Sequence, residues 1–326
     1  MRVLVTGATG FTGGHLARAL RARGHDVVAM VRNESPGAEL AAAGIALRVA
    51  DLAKPETMPS AVKDIDVIYN IAALYRQAGL PASVYHQVNA TAVGQLVEAA
   101  AAAGVRRVVH CSTVGVHGDV EQPPADEDAP LRPGDVYQVA KLQGERIGRE
   151  AAARTGVELV IGRPSGIYGP GDRRLLKLFR GVARGRFVIL GDGRIFYHLT
   201  YIDDLVEGLR LCGEVAAAAG RTYILAGAEV PTLNALTVMI AEDAGVSPPM
   251  LRLPVGPFWL AGAACEALCA PFGIEPPIYR RRVDFFTKSR AFDISRARAE
   301  LGYAPSVGLR EGIHRTLEWY RAAGWL

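Results

Sequence analysis

Gly7, Gly10 and Gly13 stand three residues apart between an apolar, β-branched run and a stretch of helix formers. No other feature of the chain limits its fold so tightly. Residues 1–5 read as a strand buried on both faces. Residues 15–23 have helical periodicity, and Gly24 stands where a C-cap would end the helix. Glycine lets the connecting turn tighten and lets its backbone approach a ligand. The helix N-terminus adds free N–H groups and the positive end of a dipole. Strand, glycine-rich turn and helix together form a cradle for the pyrophosphate of a dinucleotide.

Alternation of strand and helix continues through the first half. Residues 25–31, 45–49, 65–71, 105–111 and 157–162 are predicted strands, and 88–103 and 137–155 are predicted helices. Such alternation implies βαβ units, hence an α/β fold with a doubly wound parallel sheet of Rossmann type. Beyond Arg163-Pro164 the pattern loosens around Gly166, Gly169, Gly171, Gly191 and Gly193. Residues 1–165 are the expected dinucleotide-binding domain. Residues 166–326 are expected to form mainly a smaller substrate-binding lobe over the carboxyl ends of the strands. Helices are expected there at 175–183, 203–212, 233–244 and 310–322. Residues 187–190 and 223–226 are short strands that return to the sheet or extend it.

Half of the 326 residues are hydrophobic, enough for a sizeable core. Basic and acidic residues number 37 and 33, a balance that calls for no nucleic-acid partner. The densest basic run, Arg280-Arg281-Arg282, reads as a solvated face or an ion-pair site as readily as an anion site. Cys111, Cys212, Cys265 and Cys269 form no CxxC pair and no zinc spacing, so no metal site is expected. Reduced thiols in a cytoplasmic protein follow. With a strand opening at residue 1, no signal peptide is expected. The apolar segment 255–274 is interrupted by Pro257, Glu266 and Pro271, too often for a membrane span. It remains a candidate cover for an apolar pocket, or a segment grazing a bilayer surface.

An acid closing the second strand would hold the adenosine ribose of NAD. Val31 takes that place and Arg32 follows it, which favours a 2′-phosphate and so NADP over NAD. Asp51 is placed at the adenine edge, and Ala72-Ala73 let the chain pass close to the cofactor. Tyr137 and Lys141, four residues apart, project from one helix face. Hydride transfer at a carbon bearing oxygen needs a proton donor and acceptor at that oxygen. A free phenol, with a pKa of about 10, is poorly matched to neutral pH, and a nearby ammonium lowers it. Lys141 is expected to do this while holding the nicotinamide ribose. Ser112-Thr113, at the end of the fifth strand, is expected to anchor the substrate oxygen.

Thr6-Gly-Ala-Thr-Gly10-Phe-Thr-Gly13, Asp51-Leu52, Asn89, Ser112-Thr113 and Tyr137-x-x-x-Lys141 resemble an extended short-chain dehydrogenase/reductase of the NAD-dependent epimerase/dehydratase group. Arg163-Pro-Ser-Gly-Ile-Tyr-Gly-Pro-Gly171 and Tyr201-Ile-Asp-Asp-Leu205 carry the resemblance across nearly the whole chain. It implies that Tyr137 is the acid/base and that Lys141 orients the ribose and tunes the tyrosine. It also implies that Thr113, four residues before His117-Gly118, binds the substrate oxygen in place of Ser112. His117 stands where the family usually has Tyr and reads as a packed ring, not a second acid. Asn89 is implied to organise the active-site helix. The dinucleotide is implied to lie on Gly7, Thr9, Gly10, Phe11, Thr12 and Gly13, and beside Arg32, Asp51, Leu52, Ala72 and Ala73. Pro164 and Ile167 are implied to line its nicotinamide. A homodimer through helices 88–103 and 137–155 is a further implication.

Three departures bear on the substrate. Val114-Gly115 follow Thr113 where the 4,6-dehydratases of the family carry Asp-Glu, so water elimination is rejected. Tyr197-His198 stand where many nucleotide-sugar epimerases place the Arg-Asp pair whose arginine clamps a diphosphate. Arg173, Arg174, Arg184, Arg186 and Arg194 are near enough in sequence to supply that charge. The tail, with Phe258-Trp259-Leu260 and residues 265–272 and 279–295, is similar to the 3β-hydroxysteroid dehydrogenase and dihydroflavonol reductase branch. Its apolar side chains either line a substrate site or pack the lobe's own core. Two reactions on a small-molecule substrate stay open. One is net interconversion of an alcohol and a ketone on an apolar molecule. The other is epimerisation of a nucleotide sugar by transient oxidation, with no net redox change. A cofactor-binding scaffold without catalysis is disfavoured by the intact Tyr137 and Lys141.

Overall fold

The computed structural model describes residues 1–77, 79–269, 271 and 280–326. Parts of the apolar tail, Ala270 and residues 272–279, lie outside the described residues, as do Ala78 and the side chains of Pro36, Arg281 and Arg282. Seven strands form one sheet: β1 Arg2–Thr6, β2 Asp26–Val31, β3 Ala46–Val49, β4 Val67–Asn70, β5 Arg107–Cys111, β6 Glu158–Pro164 and β7 Thr222–Leu225. Their order is β7-β6-β5-β4-β1-β2-β3, and every pairing is parallel. The expected segment 223–226 does rejoin the sheet, as β7. The segment 187–190 contracts to Ile189–Leu190, which pairs with Arg252–Leu253 outside the main sheet.

The chain runs outward from β1 through β2 and β3, then returns to lay β4 on the other flank of β1. Connections therefore diverge above the carboxyl ends of β1 and β4, where open α/β sheets bind ligands. The helices that position this crevice are α1 Phe11–Ala22, α2 Ala92–Ala102, α3 Val136–Thr155, α4 Ile202–Glu214 and α5 Val255–Cys269. Successive strand residues face opposite sides. Val3 and Val5 pack with Leu16 and Leu20 of α1 and Leu205 and Leu209 of α4. Leu4 packs on the other face with Leu96 and Val97 of α2. Both faces are covered, which is why β1 reads as an unbroken apolar run. Each such buried side chain contributes about 1.5–3 kcal/mol.

Arg107 on β5 is fully buried and ties the second half of the chain to the first. Its guanidinium donates to the carbonyls of Cys212, Gly213 and Val215, at 3.1, 3.2 and 2.6 Å, and pairs with Glu158 at 2.7 Å. Those carbonyls belong to the last turn of α4 and to Val215, its C-cap, where a helix leaves acceptors without partners. A helix and a strand from beyond residue 165 thus belong to the sheet layers.

The interrupted segment 255–274 contains α5. Pro257 sits in its first turn, where no intrahelical bond needs its missing N–H. The helix leaves Trp259 44% and Leu260 64% exposed. Among the described residues, no helix is long and apolar enough to cross a membrane.

Candidate active site

One cleft of ≈ 930 Å³ runs along the carboxyl ends of β1, β2, β4, β5 and β6. Its first end is made of backbone. Gly7 has φ +67°, and a Cβ there would meet Cα of Ala72 at 2.8 Å and its nitrogen at 2.9 Å. A Cβ on Gly13 would overlap the carbonyl oxygen of Gly7. Thr6 completes the join between β1 and β4. Its hydroxyl donates to Asn70 Oδ1 at 2.9 Å and accepts from the Ile71 and Ala72 N–H groups, both at 3.0 Å. Gly10 opens α1 with no side-chain cap, and no acidic residue occupies the first turn. The free N–H groups and positive dipole end are therefore open to an anion. Thr9, Phe11, Thr12, Arg32, Asp51, Leu52, Ala72 and Ala73 line the same end. Arg32 is exposed, and Asp51 turns Oδ1 back to the Ala53 N–H at 2.9 Å. A turn that no side chain could occupy, an open helix terminus and a cation just past β2 fit a dinucleotide.

At the centre, Ser112 and Thr113 both border the cleft but are differently committed. Ser112 donates to Glu145 Oε1 at 2.5 Å. The Thr113 oxygen accepts from the Gly115 N–H at 3.0 Å, which leaves its own hydrogen free to donate. Glu145 is nearly fully buried, and so is Arg163, whose Nε and Nη2 reach the two Glu145 oxygens at 2.9 and 2.6 Å. Arg163 Nη1 also donates to the Glu127 carbonyl at 3.0 Å and meets His117 Nε2 at 3.2 Å. Burial, and then Arg163, hold His117 down to about 4, so the ring is neutral and packs against Phe292. The sequence reading missed Glu145. Its signal was spacing, since Tyr137, Lys141 and Glu145 follow at four-residue steps on one face of α3.

Tyr137 lines the cleft, whereas Lys141 lies behind its wall. The lysine ammonium donates to the Cys111 carbonyl at 2.6 Å and stands 3.4 Å from His110 Nε2. Burial brings its own pKa down to about 8. The expectation that Lys141 lowers the Tyr137 pKa is not met. Burial pushes that phenol up, Cys111 and Tyr75 push it further, and the cations opposing them are Arg76 and Arg174. Desolvation here exceeds the nearby charges, so the phenol is held protonated.

Asp135 caps α3 through the Gln138 N–H at 2.9 Å and pairs with Arg76 at 2.7 Å. The Arg76 guanidinium lies 5.4 Å from the Tyr75 ring centre and 5.9 Å from that of Tyr137. Asn89 holds the loop bearing these groups. It accepts from the Leu74 N–H at 2.8 Å and donates to the Leu74 carbonyl at 2.9 Å, from a π-helical turn at Gln87–Thr91. It also touches α3 closely, since a Cβ on Gly144 would overlap its carbonyl oxygen. Such turns recur at functional sites.

Pro164 and Ile167 lead to the far end, lined by Tyr197, Phe285 and Phe292. The Tyr197 and Phe285 rings stand 5.0 Å apart. Of the five arginines offered by sequence, Arg174 lines the cleft, and Arg173 stacks 4.9 Å over Trp325 instead. The tail therefore divides, with Phe285 and Phe292 facing the cleft and Trp259 facing outward.

Residues 3–226 match the profile of the NAD dependent epimerase/dehydratase family. The chain is 30% identical to the 2-alkyl-3-oxoalkanoate reductase of Stenotrophomonas maltophilia (strain K279a), over 97% of this chain and 98% of that protein. It is also 30% identical to 3beta-hydroxysteroid-dehydrogenase/decarboxylase isoform 1 of Arabidopsis thaliana, over 97% and 78% of the two chains. Among solved structures, UDP-glucuronic acid 4-epimerase from Bacillus cereus, in complex with NAD, matches with a TM-score of 0.80 and 25% identity over 99% of each chain. The chain therefore belongs to the NAD dependent epimerase/dehydratase family, and it is an enzyme of NAD(P)-dependent oxidoreductase chemistry.

Proposed function

We propose that this enzyme interconverts an alcohol and a ketone on a largely apolar small molecule by net hydride transfer, with NADP preferred to NAD. One observation carries the reading. The Thr113 hydroxyl and the Tyr137 phenol share a cleft that has a glycine turn at one end and Tyr197, Phe285 and Phe292 at the other.

When bound, the dinucleotide supplies or accepts the hydride. The turn from Gly7 to Gly13 and the open end of α1 take its pyrophosphate. Arg32 takes the 2′-phosphate, Asp51 and Leu52 meet the adenine, and Ala72 and Ala73 let the chain pass close. Pro164 and Ile167 border the nicotinamide. Thr113 donates a hydrogen bond to the substrate oxygen, and Tyr137 gives that oxygen a proton. Ketone, hydride and proton then balance as alcohol and oxidised cofactor. Lys141, one helical turn after Tyr137, supplies positive charge behind that wall; to orient the ribose, as the resemblance implies, its ammonium would have to leave the Cys111 carbonyl and reach the cleft. Residues 1–165 supply most of the cofactor site and 166–326 most of the substrate lobe. The family resemblance supports a cytoplasmic homodimer joined through α2 and α3.

A second reading, nucleotide-sugar epimerase, is supported by the likeness to the Bacillus cereus enzyme and by Arg174 in the cleft. Mixing the protein with NADPH or NADH and candidate ketones, and following nicotinamide absorbance, separates the two. Stoichiometric consumption sustains net reduction. A tightly held cofactor that never turns over while UDP-sugars interconvert replaces it with the epimerase. Tyr137→Phe is expected to lower kcat at least about 100-fold with cofactor binding retained. Near-normal turnover of that variant would overturn the role of Tyr137. Arg32→Ala is expected to weaken NADP more than NAD, and equal loss of both removes the preference.

A further inference from the structure

Beyond Arg32, four cations border the cleft: Arg76, Lys288 and Arg290, and Arg174, whose guanidinium lies 5.3 Å from the Phe11 ring centre at the glycine end. Three of them face a carboxylate: Arg76 meets Asp135 at 2.7 Å, Arg174 meets Asp172 at 3.0 Å and Lys288 meets Asp284 at 2.9 Å. Arg290 is partly buried, yet no carboxylate among the described residues comes within 4.0 Å of it. Its backbone is fixed. The Arg290 N–H donates to the Phe196 carbonyl and its carbonyl accepts from the His198 N–H, each at 2.9 Å. On either side, the Ser289 N–H donates to Asp119 Oδ1 at 2.8 Å and the Phe292 N–H to His198 Nδ1 at 3.3 Å. Burial pushes the Tyr197 phenol up, and Arg290 is the foremost group opposing it, as a cation beside that hydroxyl would be.

A cation drawn partly out of water without a partner is costly unless a ligand brings the counter-charge. The uncompensated charge here is single. A diphosphate would bring more negative charge than is uncompensated around Arg290, whereas one carboxylate balances it. The guanidinium fork matches a carboxylate's two oxygens. We propose that Arg290 is a specificity-determining residue that pairs with a carboxylate on the substrate, so that the enzyme acts on oxo and hydroxy acids with an otherwise apolar body. Phe285, Phe292 and Tyr197 receive that body. The inference rests on the net-redox reading above and names the substrate class for the same site.

The test compares a medium-chain oxo acid with its methyl ester, each with NADPH and the full-length enzyme. The parent is expected to favour the acid at least about tenfold in kcat/KM, the scale of a hydrogen bond to a charged group. Arg290→Gln should collapse that ratio through the KM of the acid, and Arg290→Lys should restore part of it. Unchanged melting temperatures of both variants show that the fold is intact. A parent that reduces the ester as well as the acid overturns the inference and leaves the net-redox reading standing. So does Arg290→Gln slowing both substrates equally. An enzyme that reduces neither and interconverts UDP-sugars removes both readings at once.

Discussion

At the glycine end of the cleft the walls are backbone, with Gly7 against Ala72 and Gly13 against the Gly7 carbonyl. At the far end they are side chains drawn from separate segments, among them Tyr197, Phe285, Arg290 and Phe292. The difference teaches where such an enzyme can change. A wall of backbone in contact tolerates no added methyl, so its sequence is narrowly limited. A wall of side chains can be rebuilt residue by residue while the sheet beneath it stays the same. The Glu145–Arg163 pair lies between the two, under the floor where they meet.

That joint is where the comparison breaks most severely. Glu145→Leu leaves Arg163 buried without a counter-charge and is expected to cost about 3–5 kcal/mol, read from the shift in the urea midpoint. A loss below about 1 kcal/mol would mean that the two ends do not depend on a shared floor. Gly13→Ala addresses the backbone end alone. The added methyl must push the turn open, at about 1–3 kcal/mol of overpacking, so dinucleotide affinity measured by calorimetry should fall about 10- to 100-fold. Undiminished binding would show that the backbone wall yields as readily as a side-chain wall.

The smallest effect concerns Lys141, whose pKa burial brings from 10.5 to about 8. Between those values the unfolded chain holds a proton that the folded chain has released. Stability therefore rises with pH through this window, by at most about 1.4 kcal/mol per unit, and the lysine contributes no slope below it. Lys141→Met should flatten that rise relative to the parent. Identical pH dependence of the melting temperature in both proteins would show that the lysine is not desolvated by the fold.

Legibility in the sequence followed the same division. The glycine spacing, the alternation of strands and helices and the four-residue step from Tyr137 to Lys141 are local, and the structure carries each of them. Glu145 lay one further step along the same helix, within reach of the same reasoning. Lys141 shows the limit of that reasoning. Spacing puts it on the Tyr137 face, but only the packing of α3 on β5 turns its ammonium to the Cys111 carbonyl. Helix α5 was obscured because an apolar stretch with an early proline carries no amphipathic period. The isolation of Arg290 among the described residues was invisible, because which carboxylates come near it is a property of segments remote in sequence.

By itself the sequence determined a parallel α/β sheet, a turn shaped for a dinucleotide and a tyrosine–lysine face. Each depends on residues a few positions apart, held by periodicity and backbone geometry. Only the tertiary structure decided which hydroxyl was free, which cations were already paired and how the phenol is held protonated. Those outcomes depend on burial and on partners brought together across the chain, and desolvation acts through space, not along the sequence.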